Sequence, residues 1–196
     1  LQGFYQTKVF PSKENIALLK TDVAKLQKFN TECRPFFARI PEITYTGLQG
    51  FKSELVTMIS KLNTQANSAG VQLHSNFNYS FQSQVYKLNI SPNAMRTMAH
   101  QMSEIQQMCT ILFGAKINRL EAVQRARTED DQGPGIADAD FVPEPIRVTP
   151  MGVIYPYRLT FRCFSSELAG VLDGLIKSPY GFVIKTVEVE AVPLDF

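Results

Sequence analysis

Residues 153–164 read Val-Ile-Tyr-Pro-Tyr-Arg-Leu-Thr-Phe-Arg-Cys-Phe, with apolar and polar side chains alternating along most of the stretch. A period of two predicts a β-strand with one buried face and one open face. The side chains expected to face the core are Val153, Tyr155, Tyr157, Leu159, Phe161 and Cys163. On the other face, Arg158, Thr160 and Arg162 form what we call the open sheet face, and a one-residue slip in register would bury both arginines.

The elements predicted around this strand form two successive βαβ units. Strands are predicted at 84–90, 115–127, 153–164 and 182–192, with helices at 91–113 and 166–178. The first of these helices opens with Ser91 as N-cap and Pro92 after it, a strong start signal. The sequence therefore predicts an α+β fold, a ferredoxin-like βαββαβ domain over residues 71–196 with an antiparallel sheet and two helices on one face.

Residues 1–70 are predicted to form a helical stalk in front of this domain. A helix at about 12–30 carries a stalk seam, Ile16, Leu19, Val23 and Leu26, whose 3-4-3 spacing is typical of a coiled coil. After a break that contains two prolines, a second helix at about 48–69 repeats the pattern at Phe51, Leu55, Met58 and Leu62. Such helices fit an antiparallel pair or an intermolecular coiled coil. Packing on the core of the domain is the alternative.

The segment 128–146, between the two βαβ halves, is rich in acidic residues, glycine and proline. This composition predicts an exposed, mobile loop. Its aspartates are not followed by the glycine and distal glutamate of an EF-hand, so no calcium site is predicted. Its acidic residues are Glu129, Asp130, Asp131, Asp138, Asp140 and Glu144.

Composition and motifs exclude several classes of protein. The chain has 44% hydrophobic and 19% charged residues with a net charge of +2, which is typical of a globular protein without a nucleic-acid-coating surface. We find no nucleophile elbow, phosphate-binding glycine loop or zinc-binding HExxH motif, and both histidines lack a partner in sequence. No enzymatic activity, cofactor or metal is therefore predicted. The three cysteines, Cys33, Cys109 and Cys163, form no CxxC motif, and a bridge between Cys109 and Cys163 is left open.

An RNA-binding or other ligand-binding module with a ferredoxin-like fold is the alternative function. RNA-recognition motifs share the βαββαβ order and stack bases on aromatic side chains of the sheet. Tyr155, Tyr157 and Phe161 superficially fit that role. However, the alternation assigns them to the core-facing set, so nucleic acid is not expected as a partner.

The order of elements, together with scattered individual residues, resembles that of the PilO/PilN-type inner-membrane assembly proteins of type IV pili and the related type II secretion proteins. The likeness is nearest to the pilus-cluster proteins of Akkermansia and other Verrucomicrobia, and it covers about three quarters of the chain, from Phe51 onward. It rests on the helices and strands at Phe51–Leu55, Val71–Leu73, Met95–Leu112 with the strand from Lys116, Tyr157–Phe161 with Glu167–Ile176, and Phe182–Val187.

This resemblance implies a non-catalytic scaffold in the periplasm of a Gram-negative bacterium. Its implied partners are a second copy or a related pilus-assembly protein, joined through the stalk seam, and other platform proteins of the pilus or secretion apparatus. The sequence holds no run of about 18 apolar residues, and it starts at Leu1 without a leader. We therefore expect that a transmembrane helix upstream of Leu1 has been removed and that it anchors the protein in the inner membrane.

Overall fold

A computed structural model of the protein describes residues 12–34, 38–132, 138–150 and 152–191. The chain divides into two units. The smaller contains Leu1–Arg39 and Ser178–Gly181, and the larger contains Ile40–Lys177 and Phe182–Phe196.

The smaller unit is built on one long helix, α1, Lys13–Cys33. Ser12 caps it, since its side-chain oxygen accepts a hydrogen bond from the backbone N–H of Asn15 at 3.1 Å. The helix ends three residues later than predicted, and none of its residues is buried. After the helix, the backbone N–H of Ala38 donates to the carbonyl of Pro179 at 2.7 Å.

Among the described residues, the larger unit holds four helices: α2 Gly47–Ala69, α3 Gln82–Tyr86, α4 Pro92–Gly114 and α5 Ser165–Lys177. Helix α4 packs against both α2 and α5. As predicted, Ser91 caps α4. One apolar stripe of this helix lies in the core. The buried stripe is Met95, Met98, Met102, Ile105, Cys109 and Leu112.

Helix α2 differs from the stalk helix expected at 48–69. Its apolar positions Phe51, Leu55, Met58 and Leu62 are all buried in the core that α4 shares. These side chains gain more from contact with a preformed apolar surface than from a narrow two-helix seam, which explains why packing on the core prevails. The predicted domain boundary at residue 70 therefore lies inside the larger unit.

In the part of the chain that the structure describes, the central sheet has three strands in the order β1-β2-β5. Strand β1 is Gln72–Leu73, β2 is Arg119–Arg125 and β5 is Tyr157–Arg162. Strand β2 pairs parallel with β1 and antiparallel with β5. The α+β class is confirmed, but the sheet is mixed rather than antiparallel.

The long strand predicted at 153–164 is interrupted near Pro156, which has no N–H to donate to a ladder. Its first part, β4 Gly152–Ile154, pairs instead with β3 Arg147–Thr149 in a separate two-stranded sheet.

Two predicted strands are absent from the described residues. The first, at 84–90, is replaced by helix α3 and an irregular segment, because a tight turn with positive φ at Asn76, Tyr79 and Ser80 leads into a helix that buries Gln84. The second, at 182–192, carries no strand over 182–191 although its residues favour one, and it pairs with none of the described strands. Residue 192 lies outside the described residues.

Within the segment 128–146, the described residues are only partly exposed, whereas its composition predicted an exposed loop. Asp131, Phe141 and Val142 are buried, and residues Asp138–Asp140 form a 3-10 turn. The physical reason is that Asp131 has a buried arginine as its partner, so the carboxylate is held inside the molecule instead of in solvent.

Candidate functional site

The stalk seam lies on α1 in the smaller unit. Its four side chains are between 43% and 67% exposed, with Ile16 the least and Leu26 the most exposed. Leu18 and Phe29, which lie outside the seam, are also exposed. This helix of 21 residues has no buried position among the described residues, whereas most helices in proteins are stabilised by packing of an apolar face.

The open sheet face lies on β5 in the larger unit. Arg158, Thr160 and Arg162 are exposed, while the residues between them are partly buried, in agreement with the alternation of the sequence. Arg162 donates from Nε to Glu121 of β2 at 2.5 Å, and Arg119 approaches the same carboxylate at 3.6 Å. Glu121 thus neutralises part of the positive charge of this face.

The inward face of β5 contacts the core. Tyr157, Leu159 and Phe161 pack against the buried cluster, so their rings and side chains are not offered to a ligand on the open face. The hydroxyl of Tyr157 donates to Glu104 of α4 at 2.5 Å. Burial raises the pKa of Glu104, and the hydrogen bond from Tyr157 offsets that rise in part. Burial, followed by the charge of Glu104, raises the pKa of Tyr157 well above its usual value.

A buried ion pair that the sequence analysis missed lies at the end of β2. Arg125 and Asp131 are both fully buried and form a bidentate pair, with Nη1–Oδ2 at 2.6 Å and Nη2–Oδ1 at 2.8 Å. The guanidinium also donates to the carbonyl of Ser80 and to the side chain of Gln101. Asp131 accepts from Gln84 and from the backbone N–H and hydroxyl of Thr128.

The electrostatics of this pair favour a charged carboxylate. Burial by itself would raise the pKa of Asp131. The hydrogen bonds and the charge of Arg125, together with the hydrogen bonds from Thr128, hold this pKa below its usual range. The rings of Phe81 and Phe141 lie against the guanidinium at 4.6 and 5.0 Å. Because the guanidinium of Arg125 and the carboxylate of Asp131 find their hydrogen-bond partners inside the molecule, the cluster acts as an internal clasp between β2, the loop after it and α4. The sequence held one signal for it: Arg125 falls two residues after the buried Val123, on the same face of β2.

The described parts of the chain contain no group of three or more metal-ligating side chains. Nor does any helix among these residues have the length and apolarity needed to cross a membrane. The two predicted surfaces belong to different units, and the buried clasp belongs to neither surface.

A protein-family model described as pilus-like matches residues 1–191. The chain belongs to this pilus-like family. The family is one of structural proteins and not a known family of enzymes, which agrees with the prediction of a non-catalytic, pilus-related protein. No curated protein matches the chain.

Several solved structures from Akkermansia muciniphila share the fold. A crystal structure of one such protein has a TM-score of 0.53 at 17% identity and covers 72% of this chain and 66% of its own. The core domain of an Akkermansia muciniphila protein also gives 0.53 at 17% identity, with 75% and 77% covered. A third structure, of a protein without its transmembrane region, gives 0.51 at 18% identity, with 72% and 65% covered. At this identity the likeness shows a common fold, and the chain spans about two thirds of the length of the first and third.

Proposed function

We propose that the chain is a PilO/PilN-like scaffold of a type IV pilus or of a type II secretion-like assembly. In this proposal it works in the periplasm by forming a homodimer, or a heterodimer with a related pilus-assembly protein. A transmembrane helix outside this sequence anchors it in the inner membrane and places it next to other platform proteins. The transmembrane region of one Akkermansia muciniphila relative supports the anchor.

The observation that carries the proposal is helix α1. It presents four apolar side chains at 3-4-3 spacing, and none of them is buried among the described residues. Covering a large apolar side chain contributes about 1.5–3 kcal/mol, so a partner helix seated on this seam would gain a substantial part of its binding free energy there. Membership of a pilus-like family supplies the biological setting.

The ferredoxin-like plan of the larger unit belongs to the same proposal. Strands β2 and β5, with α4 and α5, provide four of its six elements in the predicted chain order. The elements that differ are the first and last strands. A scaffold of this kind needs exposed edges for contact rather than a catalytic pocket, and β5 is such an edge.

The open sheet face gives little support to RNA binding. Tyr157 and Phe161 pack on the core, and Arg162 is paired with Glu121. The stacking platform and the unpaired basic field that single-stranded RNA requires are therefore not formed by these residues.

The test is the molar mass of the full chain in solution, with and without the seam. We expect a dimer by sedimentation velocity, and a monomer when Leu19→Glu and Leu26→Glu are combined, because two charges would be placed in the contact. The matched control combines Leu18→Glu with Thr21→Glu, two exposed positions of the same helix outside the seam. This variant should remain a dimer.

Circular dichroism and the thermal unfolding midpoint check that the larger unit stays folded in both variants. A wild-type chain that is monomeric at every concentration, also when mixed with related pilus-assembly proteins, would overturn the proposal. A control variant that dissociates as fully as the seam variant would show that charge alone, rather than the seam, governs association.

A further inference from the structure

Strand β5 is an edge of the central sheet. Within the described residues its ladder partner is β2 alone, on one side. The other side of an edge strand presents backbone N–H and C=O groups that can pair with a further strand. Strand β5 contains no proline, glycine or bulge that would prevent such pairing.

The segment 183–191, Val-Ile-Lys-Thr-Val-Glu-Val-Glu-Ala, has the composition of a strand without forming one. Five of its nine residues are β-branched, and such residues pack well on a pleated sheet. Val183 and Val189 are 88% and 73% exposed. Soluble monomers avoid exposing a run of β-branched residues, and also an unpaired sheet edge, unless another chain covers them.

The two surfaces are complementary in charge and in polarity. In a strand, Glu188 and Glu190 project from one face, and Val187 and Val189 project from the other. If this segment lies beside β5 with its glutamates on the open sheet face, they come next to Arg158 and Arg162. The valines then extend the apolar face that Leu159 and Phe161 begin.

We propose that residues 183–191 of a second copy of this chain pair with β5 as an added strand. Pairing within one chain is not what the structure shows, because these residues leave β5 unpaired although they belong to the same unit. A two-fold dimer makes the exchange twice, so that each copy gives one strand and receives one. This inference deepens the proposed dimerisation by assigning a contact separate from the stalk seam.

Cross-linking between two differently marked chains tests the exchange. Cys33→Ser and Cys163→Ser remove the accessible thiols, and the fully buried Cys109 is kept. One full-length protein then carries Thr160→Cys, and a second carries Thr186→Cys, Glu188→Cys or Glu190→Cys. After mixing and mild oxidation, we expect a disulfide between the two chains, identified by mass spectrometry, because side chains on one face of paired strands lie within disulfide reach.

The matched control is Val187→Cys, which projects from the opposite face of the same segment and should link to position 160 much more slowly. Equal linking of position 187 and its neighbours, or no link between chains, would overturn the proposal. A double variant that links only within one chain would also overturn it, because the segment would then pair with its own sheet.

Charge reversal tests the complementarity independently of thiols. Glu188→Lys with Glu190→Lys should weaken strand exchange by roughly two- to thirtyfold, since each cross-strand ion pair contributes a small amount. A second chain with Arg158→Glu and Arg162→Glu should restore it. Glu42→Lys with Glu144→Lys, at two exposed positions elsewhere, is the charge-matched control and should have little effect.

These results separate the strand contact from the stalk seam. A dimer in sedimentation without a link from position 160 overturns strand exchange and leaves the seam proposal standing. A link that persists when Leu19→Glu and Leu26→Glu are added supports strand exchange even if the seam contributes nothing.

Discussion

Arg125 shows how one residue can organise several distant segments. Its guanidinium joins the end of β2 to Asp131 in the following loop, to Gln101 of α4 and to the turn at Ser80. The pair is fully buried, so its contribution depends on every hydrogen bond being present. Removing one partner leaves a buried charge without compensation, which is far more costly than the pair is stabilising.

Replacement of either member of the Arg125–Asp131 pair should therefore destabilise the protein strongly. We expect Asp131→Asn and Arg125→Met each to lower the free energy of unfolding by about 3–5 kcal/mol. Urea denaturation followed by circular dichroism measures the change. Asp138→Asn is the control, because its pair with Arg127 is exposed and should contribute at most about 1 kcal/mol. Losses of equal size at positions 131 and 138 would contradict the role of the clasp.

The contribution of Glu104 to the free energy of unfolding should depend on pH with the opposite sign from that of a carboxylate in an ion pair. Burial raises its pKa in the folded state, so the folded protein binds its proton more tightly than the unfolded chain. The associated stability is fully present below the unfolded pKa of about 4.3 and is lost as pH rises through the folded pKa.

The variant Glu104→Gln keeps a carbonyl acceptor for Tyr157 and removes the charge. Its urea midpoint should fall less than that of the wild type as pH rises from about 4 toward neutrality. Glu54→Gln, at an exposed position of α2, should follow the wild-type curve. Parallel curves for wild type and Glu104→Gln would show that burial does not perturb this carboxyl.

The helices form where local signals and apolar spacing agree. Ser91 and Pro92 start α4, and Gly70 ends α2 with a φ of 76°, a left-handed conformation that favours glycine. The strands are less autonomous, since β1 has only two residues and exists by pairing with β2. A helix is thus specified by a few neighbouring residues, whereas a strand depends on which edge is nearby.

The two glycines at helix ends give a matched pair of substitutions. Gly70→Ala should lower the free energy of unfolding by about 1–2 kcal/mol, because an alanine side chain is strained at positive φ although nothing lies within 4 Å. Gly114→Ala also meets no atom within 4 Å, but Gly114 lies within α4 and has no positive φ. It should be neutral or stabilising by up to about 1 kcal/mol. Thermal unfolding compares the two, and a loss at both positions would contradict the argument.

On the scale of the whole larger unit, close contact between α4 and α5 determines how tightly the second helix is held. Gly174 of α5 faces Ile111 of α4 so closely that an added Cβ would lie 2.6 Å from Ile111 Cγ2. At Gly170, one turn away, the nearest atom would be the Cβ of Ala115 at 3.5 Å, which is ordinary contact. The close packing of α5 on α4 therefore requires glycine at position 174.

Gly174→Ala should destabilise the protein by about 1–3 kcal/mol relative to Gly170→Ala, because the branched Ile111 side chain must shift. Hydrogen exchange should show faster exchange along α5 in the first variant than in the second. If the two variants are equally stable, the contact between these helices is loose enough to absorb a methyl group.

The sequence by itself determined the α+β class, the limits of α4 and α5 to within one residue, the start of α1, and the alternation of β5. These features depend on helix caps, proline and apolar spacing within a few neighbouring residues. The hydrophobic effect then favours burial of the apolar face that this spacing creates. It also identified the stalk seam and the open sheet face, whose roles in binding remain proposals.

Only the tertiary structure decided the partners of these elements. It placed α2 in the core, turned the predicted strand at 84–90 into a helix, and buried Asp131 in a segment composed like a loop. Each outcome depends on atoms far away in sequence, since Arg125 receives its partners from residues 6, 24 and 45 positions away. Local propensity is weak compared with the cost of leaving a buried charge or an apolar surface unpaired, and tertiary contact therefore prevails.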